Sequence, residues 1–192
     1  MNINRLILIL GIAAISFGSC SSDNSAIKIE AKSLSLEESE LRKMPDFKLT
    51  YLDGKPFDSK SLEGKVLFID FWATWCGPCL HEIPSMVEMG QKYKEYGFEV
   101  VGITVQSGDS EDIQPTIDRL NMDYHVLIGD EETMSAFGGI YGFPTNFLIT
   151  KKGNIYRKFL GVYPKKAEVV EKDIRFLLGL DEKPIEELNE NI

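Results

Sequence analysis

The chain has 192 residues, of which 43% are hydrophobic, 10% aromatic and 27% charged. This balance is typical of one globular domain with additional residues at its ends, and it argues against a disordered chain. A formal net charge of -9 argues against binding to nucleic acid through a basic surface, because the electrostatic contribution would be repulsive.

The first 19 residues indicate export. Arg5 precedes an apolar run over 6–17, and the small residues Gly18 and Ser19 lead to Cys20. The run is shorter than the ~20 residues that span a bilayer, so it is interpreted as the core of a secretory signal. The segment resembles a bacterial lipoprotein signal peptide, which implies cleavage after residue 19 and a lipid on Cys20. The alternative is an uncleaved apolar anchor; both place a tethered domain outside the cytoplasm.

Four regions are predicted: a signal peptide over 1–19, a lipidated cysteine and tether over 20–44, a folded domain over 45–180, and an acidic tail over 181–192. The tether is rich in Ser, Glu and Lys, although the alternation "AIKIEAKSLSL" within it could form a strand.

The folded domain opens with a predicted hairpin around Asp53-Gly54. The apolar run "KVLFIDFW" predicts a strand buried on both faces. After this strand, segments with the hydrophobic periodicity of helices alternate with segments that have the periodicity of strands. Further strands are expected over 98–105, 124–130, 145–150 and 155–161, and helices over 79–96, 109–121, 131–138 and 165–178. This order predicts an α/β fold with a mixed central sheet flanked by helices.

The chemistry is expected at Cys76 and Cys79, which lie behind the buried strand and open a helix. A helix N-terminus stabilises a thiolate, so Cys76 is predicted to be the nucleophile and Cys79 the buried resolving thiol. A structural bridge over so short a loop would stabilise the fold little. A zinc site would need two further ligands, from His81, His125 or carboxylates.

Two segments carry a resemblance to a known family. "FIDFWATWCGPC", followed by Pro84, resembles the active-site segment of thioredoxins, and "YGFPTNFLI" resembles their second signature. Gly161 falls where thioredoxins have a glycine before the last helix. With the hairpin, a central β-α insertion around 98–128 and the export signal, the chain resembles membrane-tethered thiol-disulfide oxidoreductases of the TlpA/ResA type.

The resemblance implies that Phe143-Pro144 is a cis bond facing the disulfide, with Phe143, Pro144 and Thr145 at the substrate-binding surface. Trp75 is the better candidate for that surface and Trp72 for packing. His81 is expected at the surface, and His125 packed or exposed.

Two carboxyl groups are candidates for proton transfer. Asp70 lies inside an apolar strand, so its pKa should be raised, and it matches the aspartate with which thioredoxins deprotonate the second cysteine. Glu82 lies three positions after Cys79 on the same side of the helix and matches an acidic residue of ResA-like proteins. The alternatives are a hydrogen-bonded structural carboxyl for Asp70 and a solvated helix residue for Glu82.

The expected function is thiol-disulfide exchange, in the direction that reduces disulfides of exported proteins, without a cofactor or a metal. The implied partners are those proteins, a membrane protein that supplies electrons, and the membrane itself through a lipid on Cys20. The alternatives are a thiol oxidase or isomerase of the same fold, a redox-inert peptide-binding lipoprotein, and a peroxidase. The peroxidase is disfavoured because Thr74 precedes Cys76 by two positions, not three.

Overall fold

The computed structural model describes residues 41–181. The predicted signal peptide, Cys20, the tether up to residue 40 with its alternative strand, and the tail beyond residue 181 lie outside the described residues. No helix within 41–181 is long and apolar enough to cross a membrane.

Seven strands and four α-helices form the described domain. The strands are β1 (Lys48–Tyr51), β2 (Pro56–Asp58), β3 (Val66–Trp72), β4 (Phe98–Thr104), β5 (His125–Ile128), β6 (Thr145–Ile149) and β7 (Ile155–Leu160). The helices are α1 (Gly77–Tyr93), α2 (Ser110–Leu120), α3 (Glu131–Ala136) and α4 (Lys166–Leu178), with short 3₁₀ turns at Ser59–Leu62 and Lys94–Tyr96.

All strands belong to one mixed sheet in the order β2-β1-β5-β4-β3-β6-β7. Strands β3, β4 and β5 are parallel, whereas β6 runs antiparallel to β3, and β7 antiparallel to β6. The predicted hairpin is confirmed as β1 and β2, which extend the sheet beyond β5. The prediction of an α/β fold with a mixed sheet is therefore confirmed.

Strand β3 is buried along its whole length because both faces of the sheet are covered. Its residues Leu67, Ile69 and Phe71 pack into one apolar cluster. On the other face, Val66 and Phe68 pack against side chains of α1 and α4. Asp70 lies on the same face of β3 as Val66 and Phe68. Its carboxyl group therefore lies in the layer between the sheet and these helices.

Local signals set the ends of the helices. Cys76 is the N-cap of α1, and the 3₁₀ turn that follows α1 ends at Gly97 with φ of 89°. Asp109 and Asp112 form a capping box at the start of α2. Gly179 adopts a left-handed conformation after α4, as its predicted position at the helix end requires.

Candidate active site

The two cysteines of the Cys-X-X-Cys motif form a disulfide at the start of α1, with an S–S distance of 2.08 Å. The backbone N–H of Cys79 donates to the Cys76 Sγ atom at 3.2 Å. The first turn of a helix has unpaired N–H groups and a partial positive charge, both of which favour an anionic sulfur. The position of Cys76 therefore suits a thiolate once the disulfide opens.

Strand β3 and the turn that follows it position the two cysteines. The N–H of Cys76 donates to the carbonyl of Ala73, one residue beyond the end of β3. The residue Cys76 is 5% exposed and Cys79 is 1% exposed. The cysteine nearer the surface is thus the one at the helix cap, in agreement with the predicted order of burial.

The side chains of Trp75 and Phe143 form an aromatic rim beside the disulfide. Trp75 is 61% exposed, and its indole N–H donates to the carbonyl of Gln106 at 2.8 Å. Its ring meets that of Phe143 edge-on, with the centroids 5.7 Å apart. Tyr141 is almost fully exposed, whereas Trp72 is fully buried. The predicted division between a surface Trp75 and a packed Trp72 agrees with this geometry.

The segment before β6 lies against the same site. Phe143 packs on the cluster of buried residues that contains both cysteines, and the Phe143–Pro144 peptide bond is cis. Thr145 is buried, and its hydroxyl donates to the carbonyl of Gly142 at 2.7 Å. The N–H of Gly161, just after β7, donates to the carbonyl of Pro144 at 2.8 Å.

Asp70 is buried between the sheet and the helices, with 3% of its surface exposed. The side-chain amide of Asn146 donates to its Oδ1 atom at 2.6 Å, since the two residues are cross-strand neighbours on β3 and β6. Burial raises the pKa of Asp70 to about 7, and the nearby Glu82 adds to the rise. Lys166 and the hydrogen bond from Asn146 oppose it. Such a group exchanges protons near neutral pH.

Glu82 is not a solvated helix residue. Its side chain is 12% exposed, and the Nζ atom of Lys166 lies 2.9 Å from both carboxylate oxygens. Burial raises the pKa of Glu82, while the ion pair with Lys166 opposes the rise. The second predicted carboxyl group thus lies inside the molecule, close enough to Asp70 to influence its pKa.

The two histidines lie on different elements of the domain. His81 is exposed on α1. His125 is half-buried at the start of β5, where its Nδ1 atom lies 2.7 Å from the Tyr51 hydroxyl and its ring packs on Phe57. Burial lowers the pKa of His125. Neither residue behaves as a partner of the cysteines.

Three residues of the site escaped the sequence analysis: Asn146, Lys166 and Gln106. Asn146 carries a weak signal, because a lone amide within the apolar run "TNFLI" needs a buried partner. Lys166 carries none, since a mixture of charged and apolar residues such as "KKAEVVEK" is ordinary for an amphipathic helix. Gln106 contributes only its backbone carbonyl.

A disulfide that caps the first helix after a buried central strand, on a sheet of this topology, defines a thioredoxin-fold thiol-disulfide oxidoreductase. The redoxin family model matches residues 40–174, and the chain belongs to that family. It is 33% identical over 125 residues to the thiol-disulfide oxidoreductase ResA of Bacillus anthracis, covering 65% of this chain and 72% of that protein. ResA of Geobacillus kaustophilus is 31% identical over 123 residues, covering 64% of this chain and 70% of its own.

Solved structures give the same assignment. The crystal structure of a thiol:disulfide interchange protein of the thioredoxin family from Chlorobium tepidum TLS is 34% identical, with a TM-score of 0.65. The match covers 72% of this chain and 97% of that one. A secreted thiol-disulfide isomerase from Corynebacterium glutamicum superposes with a TM-score of 0.68 at 22% identity, covering 74% and 89% of the two chains. That likeness supports the fold alone.

Proposed function

We propose that this oxidoreductase reduces disulfide bonds of exported proteins. The observation that carries the proposal is the Cys76–Cys79 disulfide at a helix N-terminus, together with a buried carboxyl group on the preceding strand, Asp70, whose pKa lies near 7. The Gly77-Pro78 pair between the cysteines matches the reducing thioredoxins, which favours the reducing direction.

In the reduced protein, Cys76 is the nucleophile. Its thiolate attacks one sulfur of the substrate disulfide, so that a Cys76–substrate bond forms and the substrate's own S–S bond breaks. The other substrate sulfur leaves as a thiolate and takes up a proton. The helix N-terminus supplies the stabilisation of the Cys76 thiolate that makes this step fast at neutral pH.

In the second step, Cys79 resolves the mixed disulfide. Asp70 accepts the Cys79 proton, and Glu82 shares in this proton transfer. The Cys79 thiolate attacks the Cys76 Sγ atom, which releases the second substrate thiol and restores the disulfide seen in this structure. Two electrons pass from the protein dithiol to the substrate, so the protein must be reduced again before the next cycle.

The substrate docks on the aromatic rim. Trp75 and Phe143 provide an apolar surface beside the disulfide, and an extended substrate segment pairs with the Phe143 backbone. Pro144 and Thr145 hold this segment in place, Thr145 through its bond to Gly142.

The proposed location is the extracytoplasmic side of the cell envelope. The signal peptide over 1–19 exports the chain, a lipid on Cys20 anchors it in the membrane, and the residues between Cys20 and the folded domain act as the tether. A membrane protein that conducts reductant outward recharges the dithiol. The substrates are then exported proteins that have formed disulfides in an oxidising compartment.

Trapping the mixed disulfide tests the two cysteine roles. Reduced Cys79→Ser protein should accumulate a covalent complex with a disulfide-bonded substrate protein, because Cys76 attacks but nothing resolves the product. Cys76→Ser protein should accumulate none. Non-reducing electrophoresis measures both. Equal trapping by the two variants would contradict the assignment, and absence of trapping by either would contradict exchange activity.

A further inference from the structure

Lys166 is an unusual lysine because it is buried. It is 4% exposed, although it lies at the first position of α4 and its neighbour Lys165 is exposed. A buried ammonium group is costly unless it is paired and hydrogen-bonded. The partners that compensate this cost show what the side chain is placed to do.

Those partners connect three parts of the site. The Nζ atom lies 2.9 Å from both Glu82 carboxylate oxygens, and Glu82 is on α1 one turn after Cys79. It also donates to the carbonyl of Gly161 at 2.6 Å. Gly161 in turn holds the carbonyl of Pro144 through its own N–H. One side chain thus ties together the resolving-cysteine helix, the loop after β7 and the Pro144 segment.

The same ammonium group acts on Asp70 through its charge. Lys166 lowers the pKa of Asp70, against the effects of burial and of Glu82, which both raise it. Asp70 on β3 and Glu82 on α1 interact electrostatically with each other and with titratable groups from several elements. These groups are His81 on α1, Tyr124 before β5, Tyr163 after β7 and Lys166 on α4. Among these groups Lys166 is the buried lysine.

We infer that Lys166 is a positioning residue that sets the pH range in which Asp70 can activate Cys79, by offsetting the negative charge of Glu82 at Asp70. The inference rests on the proposed role of Asp70. Loss of the cation should leave Asp70 facing Glu82 alone, so that its proton is held to higher pH. Loss of the Glu82 charge should have the opposite effect, because Asp70 then faces Lys166 alone.

The test follows the reduced protein as it reacts with 5,5′-dithiobis(2-nitrobenzoate) in a stopped-flow instrument. Attack by Cys76 releases one nitrothiobenzoate, and resolution by Cys79 releases a second, so the second phase reports the step that Asp70 serves. The pH midpoint of that phase is measured for the wild type, Lys166→Met, Lys166→Arg and Glu82→Gln. The matched control is Lys165→Met, the same substitution at the adjacent exposed lysine.

Lys166→Met should move the midpoint upward by about one pH unit and slow the second phase roughly fivefold at pH 7. Lys166→Arg, which keeps the cation, and Lys165→Met should retain the wild-type midpoint. Glu82→Gln should move it downward, and this variant carries the test alone if Lys166→Met does not fold. Opposite shifts distinguish an electrostatic role from a merely structural one.

Unchanged midpoints, or shifts in the same direction for Lys166→Met and Glu82→Gln, would overturn the inference while wild-type exchange persists. A wild-type protein that releases no second nitrothiobenzoate would instead refute the proposed dithiol function, and with it the basis of the inference.

Discussion

Asp70 combines, at the scale of one residue, a proposed function with a cost to stability. A carboxyl group at this depth is costly to ionise, and its pKa of about 7 expresses that cost. The pKa in an unfolded chain is near 3.8, so the folded state retains its proton over a wider pH range than the unfolded state. Stability therefore falls as the pH rises from about 4 to about 7, and the penalty is complete above that range.

Asp70→Asn should remove this penalty. An asparagine keeps an Oδ1 acceptor for Asn146 but never ionises, so the oxidised variant should be more stable than the wild type at pH 8, by at most about 4 kcal/mol. The difference should shrink as the pH falls and vanish near pH 4. The second phase of the thiol reaction should slow at the same time. Urea unfolding at pH 4, 6 and 8 checks the first point; a variant less stable than the wild type at pH 8 would refute it.

At the scale of elements, the aromatic rim depends on three loops that meet. Trp75 follows β3, Phe143 precedes β6, and Gln106 after β4 accepts the indole N–H. Trp75→Ala should raise KM for a protein disulfide about tenfold, because a large exposed aromatic at a contact surface carries much of the binding energy. The rate with a small-molecule disulfide should change less than about twofold.

Tyr96→Ala provides the control for the rim. Tyr96 is also an exposed aromatic, but it follows the far end of α1, about 25 Å from the cysteines for a helix of this length. Its substitution should leave both rates unchanged. If Trp75→Ala and Tyr96→Ala affected the protein substrate equally, the rim would not be the docking surface.

Gly102 shows how β4 makes room beside Asp70. It is the cross-strand neighbour of Asp70, and an added Cβ would lie 3.0 Å from the Trp72 indole nitrogen and 3.2 Å from a ring carbon of Tyr124. Both rings are large and packed, so Gly102→Ala should destabilise the protein by about 1–3 kcal/mol. The same change at Gly90 on α1 meets only Val100 at 3.4 Å and should be neutral or stabilising, because alanine favours a helix. Thermal unfolding compares the two; equal effects would contradict the steric argument.

The elements were predictable from sequence where the signal is local. The apolar run of β3, the cap at Asp109 and the glycines after α1 and α4 each act over a few residues, and the structure places the elements accordingly. The polar contacts of the site were not predictable. Asn146 lies 76 positions from Asp70, and Lys166 lies 84 positions from Glu82. Only the sheet order and the packing of α4 on α1 bring these side chains together.

At the scale of the whole molecule, the sheet places the disulfide and the loops around it at one end of the domain. The parallel strands β3 and β4 both end beside the disulfide, and the loops before β6 and after β7 reach the same place. The hairpin of β1 and β2 extends the opposite edge from β7, away from the Pro144 segment. The described domain therefore presents one reactive surface, in keeping with a single proposed activity.

The direction of electron flow is also a property of the whole molecule, because it depends on the relative stability of the oxidised and reduced forms. The reduction potential of the Cys76–Cys79 couple, measured at equilibrium with a dithiol buffer, tests it most directly. A reductase predicts a value near about -270 mV, where the protein gives electrons to substrate disulfides. A value near about -120 mV is typical of a strong oxidant, whose reduced form is favoured. That result would contradict the proposed direction and would make folding thiols the substrates.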